Sequence, residues 1–217
     1  MKAQSLFSKV AAGVALVVAL GCSKDTPASN VVAATYGMLL GTVKDTSGAL
    51  LSSVKVTAGG KTATTNTQGY FALSGLAATD RLVVAFSKQA YVANTRIEKV
   101  RAGESVFVDA VLGAEGSTTA ISATDGGTAT TTNGAIVTFP PNAFVSAPGT
   151  PYTGTASVAV TAFDPTTTAG LAAFPGRFEG VADGGATIPF RSFGFIDVSP
   201  RDADGGALQL ATGVTAS

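Results

Sequence analysis

Between residues 36 and 112 apolar and polar positions alternate in short runs, separated by Gly, Asn, Asp and Ser, and no stretch sustains the 3.6-residue period of an amphipathic helix. The pattern predicts strands at 38–45 (MLLGTVKD), 53–58 (SVKVTA), 61–66 (KTATTN), 69–75 (GYFALSG), 81–87 (RLVVAFS), 94–100 (NTRIEKV) and 105–112 (SVFVDAVL). Within them Val54, Val56 and Ala58 share one face, while Val106, Val108, Ala110 and Leu112 stand back to back with Phe107, Asp109 and Val111. Two stacked sheets bury such faces, so residues 36–113 are expected to form a small β-sandwich.

After a short connection at 113–117 the alternation resumes over 118–217. Asn133-Gly134 reads as a hairpin turn, and the segment that follows it is stopped by Pro140-Pro141. The run TGTASVAVTAFD at 153–164 is the clearest strand of the chain, and RFEGVA, ATIPFRSFGFIDVSP and ALQLAT continue the pattern. Asp125-Gly126-Gly127, Asp183-Gly184-Gly185 and Asp204-Gly205-Gly206 recur as tight turns. The fold class is therefore all-β: two consecutive small β-sandwiches after a cleaved signal peptide. The sequence closes on GVTAS soon after its last predicted strand, which leaves two expectations open, an incomplete last sandwich or a fragment of a longer protein.

The first residues follow another rule. Lys2 and Lys9 precede an apolar run at 10–20, too short to span a bilayer at roughly 20 residues but suited to the core of a secretory signal. Ala19-Leu20-Gly21 then meets Cys22, the single cysteine of the chain. This junction resembles a bacterial lipobox. The resemblance implies cleavage of 1–21 and a Cys22 that carries lipid on its sulfur and its amine; an ordinary secretory signal with an incidental cysteine is the alternative. Residues 22–35 are polar at first, contain Pro27, show no periodicity and read as a flexible tether. Ser23, in place of an aspartate, implies by resemblance to enterobacterial sorting an outer-membrane destination. The expected location is the cell envelope, with the membrane as partner through the N-terminal lipid.

Composition narrows the chemistry. With 14 basic and 14 acidic residues the chain is formally neutral, which gives no reason to expect a nucleic-acid partner. Histidine is absent, which removes the commonest general base, the usual catalytic triad and most transition-metal sites. The charge is unevenly spread, with eight bases to five acids over 36–112 and three bases to eight acids after 113, a sign change that suggests two modules.

Gly41-Thr42-Val43-Lys44-Asp45, Gly48 with Leu51 and Val54, then Thr65-Asn66-Thr67-Gln68-Gly69-Tyr70-Phe71, Leu76, Tyr91 and Val108-Asp109-Ala110-Val111-Leu112 fall in an order and spacing that resembles the carboxypeptidase regulatory-like domain, a transthyretin-like sandwich. Asn66 stands where that family usually has aspartate, and Ala90 where it usually has glycine. By side-chain capping, Asp45 and Asn66 can each turn the chain, with Gly48 and Gly69 free to take positive φ. The alternative, calcium on Asp45 and Asn66, offers two oxygens where six to eight are wanted. NGAIVTFPPNAF, YTGTASVAVTAFDPT, FPG and SFGFIDV resemble a second sandwich of the netrin-receptor and ankyrin type, which implies a binding or assembly surface.

Asp197, Asp202 and Asp204, with Glu179, form the densest acidic set, yet their spacing completes no calcium loop and reads as a solvated turn. No GxSxG elbow and no phosphate loop occur. The phenylalanines of the second half read as core, and no tryptophan is available to stack on sugars. The expectation is a non-catalytic, lipid-anchored structural or binding module with Cys22 as lipidation site, no cofactor, no metal, and a protein or glycan ligand. Two other readings are an accessory part of a larger surface hydrolase or transporter, and a small carbohydrate-binding protein.

Overall fold

A computed structural model describes residues 35–131, 133–147, 149–176, 179–189 and 194–217. Cys22, the signal and almost all of the tether lie outside the described residues, as do Phe178, Phe190 and Phe193.

The first half runs β1 (Tyr36–Asp45), β2 (Lys55–Ala58), β3 (Lys61–Thr64), β4 (Tyr70–Ala77), β5 (Thr79–Ser87), β6 (Asn94–Val100), β7 (Ser105–Phe107) and β8 (Ala110–Leu112). β1 is central to one sheet, antiparallel to β4 and parallel to β7 and β8 on its other side. The other sheet has the order β3-β2-β5-β6, antiparallel throughout. Alternation does what it predicts: Leu39 and Val43 of β1, Val54, Val56, Phe71, Val84 and Phe86 enter one buried cluster between the sheets. Phe71 and Phe86 meet edge to face, with ring centroids 5.7 Å apart.

The expected strand at 105–112 is two strands. Between them Asp109 takes the place of a main-chain acceptor, receiving the Thr42 N–H at 3.1 Å and the Thr42 hydroxyl at 2.7 Å. The same detour presses the Val108 carbonyl onto β1, where a Cβ on Gly41 would sit 1.8 Å from that oxygen. Gly41 is thus required by close approach of backbone.

The second half runs β9 (Thr118–Ser122), β10 (Gly127–Thr130), β11 (Ile136–Phe139), β12 (Phe144–Ser146), β13 (Thr150–Pro151), β14 (Thr155–Phe163), α1 (Thr168–Ala173), β15 (Glu179–Val181), β16 (Thr187–Pro189), β17 (Phe195–Arg201) and β18 (Leu208–Leu210). Its strands form small sheets, β17-β14-β9, β10-β11, β13-β12-β18 and β15-β16. β14 is covered on both faces. Ala156, Val158 and Val160 enter a core shared with Phe139 and Phe144, while Ala159 and Phe163 are buried on the reverse side. A near-continuous apolar run suits a strand in that position.

Helix α1 was not expected from the pattern. Its start is set by hydroxyl and carboxylate caps: Thr167 Oγ1 accepts the Gly170 N–H at 3.0 Å, and Asp164 Oδ1 accepts the Thr166 N–H at 2.8 Å. Asp164 also takes the Thr166 hydroxyl, and these bonds hold its carboxyl below the ordinary value. At six residues the helix is too short to persist by itself. Contacts from the first half stabilise it.

Candidate binding groove between the two halves

The connection at 113–117 is packed chain. A Cβ on Gly113 would lie 2.4 Å from the Phe163 ring, and one on Gly116 would lie 2.1 Å from the Val160 carbonyl oxygen. The Gly116 N–H donates to Thr161 Oγ1 at 2.8 Å. Val92 and Val111 of the first half share a buried cluster with Phe163 and Ala173 of the second, and Phe195 stacks on Phe163 with centroids 5.0 Å apart.

Polar bonds complete this junction. Asn94, fully buried in β6, donates from Nδ2 to the carbonyls of Val111 at 2.8 Å, Ala173 at 3.2 Å and Ala172 at 3.3 Å. The Arg96 guanidinium donates to Asn94 Oδ1 at 2.5 Å, to the Phe174 carbonyl at 3.1 Å and to the Ala172 carbonyl. The last turn of α1 and the residue that ends it therefore find their donors on a strand of the other half. Burial lowers the basicity of Arg96, with Glu98 opposing. A cation at a helix C-terminus also meets the negative end of the helix dipole.

Beside the junction the two halves enclose a groove of about 730 Å³, lined from one side by Ser53, Ser87, Lys88, Gln89 and Tyr91, and from the other by Glu115, Ser199, Arg201 and Asp204. Its rim is organised. Arg201 forms a two-pronged pair with Glu115, one arm at 2.9 Å, which raises the guanidinium's pKa. Lys88 Nζ donates to the Ser52 carbonyl at 2.8 Å. Among the described residues, two of the three non-glycine positions with positive φ, Ser53 at 58° and Ala90 at 66°, lie in this wall. The Ala90 carbonyl accepts the Glu115 N–H at 2.9 Å, a bond that ties the strained turn to the connection.

The carboxylates singled out in the sequence fall elsewhere. Asp45 Oδ1 accepts from Ser47 N at 2.8 Å, Ser47 Oγ at 2.6 Å and Ala49 N at 2.9 Å. The Ser47 hydroxyl leads in holding its carboxyl below the ordinary value. Asn66 Oδ1 accepts from Gln68 N at 3.0 Å and Tyr70 N at 2.9 Å, and Asp202 Oδ1 from Asp204 N at 3.0 Å and Gly206 N at 2.6 Å. Gly48, Gly69 and Gly205, each three residues on, have φ of 92°, 67° and 84°. These are one turn used three times. In the Asp204-Gly205-Gly206 turn the capping carboxylate is thus Asp202, two residues earlier than the recurring motif suggests. Asp197 accepts the Ser199 hydroxyl at 2.7 Å on β17, and Glu179 lies on the separate hairpin of β15 and β16. Of this acidic set only Asp204 lines the groove. The groove residues Ser87, Gln89, Glu115 and Arg201 carry no local sequence signal; Ala90, standing where a glycine is usual, and the adjacent Tyr91 are the pointers to that wall.

Comparison with known families matches residues 38–113 to the carboxypeptidase regulatory-like domain. No curated protein matches. Among solved structures one described as "The Bacillus anthracis TIE protein" is 14% identical, with a TM-score of 0.34, over 81% of this chain and 26% of that one. This chain thus spans about a quarter of that protein's length.

Proposed function

We propose that the protein is a non-catalytic, lipid-anchored component of the cell envelope, in which a tether from Cys22 carries an all-β body that acts as a structural or binding module. The observation that carries the reading is the regulatory-like match over 38–113, a module type that supplies scaffold and contact surface, joined to an apolar run ending in Gly21-Cys22. The use of Asp45, Asn66 and Asp202 as turn caps supports it, since Oδ1 of each is engaged by main-chain donors. Two or three acyl chains on Cys22, at ~0.8 kcal/mol per buried methylene, would hold the body at the membrane. Ser23, by its resemblance to enterobacterial sorting signals, supports an outer-membrane position. The second half serves as a further binding or assembly module of the netrin-receptor and ankyrin type.

The test is metabolic labelling with palmitate. Wild-type protein incorporates label and partitions into detergent, whereas Cys22→Ala accumulates as an unlabelled precursor. Soluble wild-type protein with no acyl mass on its N-terminal peptide would refute the anchor.

A further inference from the structure

We infer that the groove between the halves is a binding site for a neutral, hydroxyl-rich ligand, an uncharged oligosaccharide chain. The inference rests on the binding-module reading above and names its ligand class.

Charge decides first. The two cations of the groove are already committed, Arg201 to both oxygens of Glu115 and Lys88 to the Ser52 carbonyl. The lining sets these two cations against two acids, Glu115 and Asp204, so the groove offers no net charge to attract a phosphate, uronate or carboxylate. Neither sign of ligand charge is favoured by the lining as a whole.

What remains unengaged is of another kind. Among the described residues no side-chain partner is found for the hydroxyls of Ser53, Ser87 and Tyr91 or for the Gln89 amide, all of which line the groove. Hydroxyls and a primary amide both donate and accept, which matches the hydroxyl groups of a sugar, each able to do the same. Tyr91 adds an aromatic ring of low conformational cost, packed on the first core.

The groove is also preorganised. Ser53 and Ala90 hold left-handed backbone that costs energy, and it is kept by bonds on both sides: Ser53 N–H to the Thr65 carbonyl at 2.9 Å, and the Ala90 carbonyl to Glu115 N–H at 2.9 Å. The two walls belong to different halves, and the Asn94 and Arg96 junction fixes their separation. A rigid, open groove suits an extended chain ligand, because little further ordering is needed on binding.

The test uses the full chain in detergent against an array of neutral gluco-, manno- and N-acetylglucosamine hexasaccharides, with polygalacturonate and a random-sequence peptide library as the charged and peptide arms. We expect saturable binding to at least one neutral hexasaccharide. Gln89→Ala is expected to weaken it about tenfold, and Ser87→Arg, which fills the groove without touching either core, to abolish it. Both variants should keep the wild-type melting temperature, so that loss of binding is not loss of fold. No binding to any neutral chain, preference for polygalacturonate or peptide, or binding unchanged in Ser87→Arg would each overturn the inference. Failure here is separable from failure of the parent reading: cleavage of a bound hexasaccharide would refute the non-catalytic reading while upholding the ligand class, and absence of acylation at Cys22 would refute the anchor alone.

Discussion

The two halves bury comparable strands in different ways. In the first, two four-stranded sheets face each other across one cluster, and nearly every strand has an inner and an outer face. In the second, strands are shared among small sheets of two or three, and β14 places buried side chains in two clusters by being covered on both sides. Regular alternation specifies a sandwich by itself. A half built on one doubly covered strand needs a neighbour to cover its reverse face. Val92 and Val111 of the first half provide that cover, and the groove between the halves is a consequence.

The largest expected effect comes from breaking that cover. Phe163→Ala removes the ring that stacks on Phe195 and packs against Gly113, and should cost about 3–5 kcal/mol, measured by denaturant unfolding. Its loss should fall on α1 and β14 first, seen as faster amide exchange there than in β1 and β4. Equal acceleration in all four would mean that the junction is not a distinct weak point.

A local feature of the first half should cost less. Gly69→Val puts a Cβ at positive φ and 2.7 Å from the Val43 carbonyl oxygen, and should destabilise by about 2 kcal/mol or more. Asn66→Asp keeps the oxygen that caps Gln68 and Tyr70 and should change stability by less than about 0.5 kcal/mol. Similar effects from the two would place the turn differently.

That turn also shows what was legible in the sequence. The spacing from Asp45 to Gly48 and from Asn66 to Gly69 announces its own geometry, because cap and glycine lie within one turn of chain. The alternation in 38–100 is equally local, and the strands lie where it puts them to within a few residues. The break at Asp109 was illegible because its cause, Thr42, lies 67 residues away. Helix α1 was hidden for a related reason: six residues of Thr, Ala, Gly and Leu have no period to read, and the donors that end the helix come from Asn94 and Arg96. A buried Asn inside a strand was the available hint, since Asn is depleted there. The groove depends on residues from both halves, and spacing along the chain carries no such information.

Two smaller effects sharpen the comparison. Ala90→Gly removes the strain of a Cβ at φ 66° and should raise stability by about 0.5 kcal/mol after the glycine's greater freedom in the unfolded chain is deducted. A decrease would mean that the alanine side chain contributes contacts that outweigh the strain. Smallest is the acid dependence of Asp45. Its folded pKa is lowered, chiefly by the Ser47 hydroxyl, so its contribution is present above the unfolded value near 3.8 and is lost as pH falls through the folded value. The site is exposed, so the melting temperature should fall only slightly faster below pH 4 in wild type than in Asp45→Asn. A larger fall in the variant would reverse the sign.

The central claim is that the halves form one body because β6 supplies the donors for α1, and calorimetry of the full chain with Arg96→Met beside it tests this most directly. The substitution keeps bulk but leaves the carbonyls of Ala172 and Phe174 without their cationic donor, at a cost of about 1–3 kcal/mol. Wild type should unfold in one transition, and Arg96→Met should show a lower-melting step in which residues 155–173 lose amide protection ahead of the first core. Two transitions in wild type, or a single unshifted transition in Arg96→Met, would contradict the account.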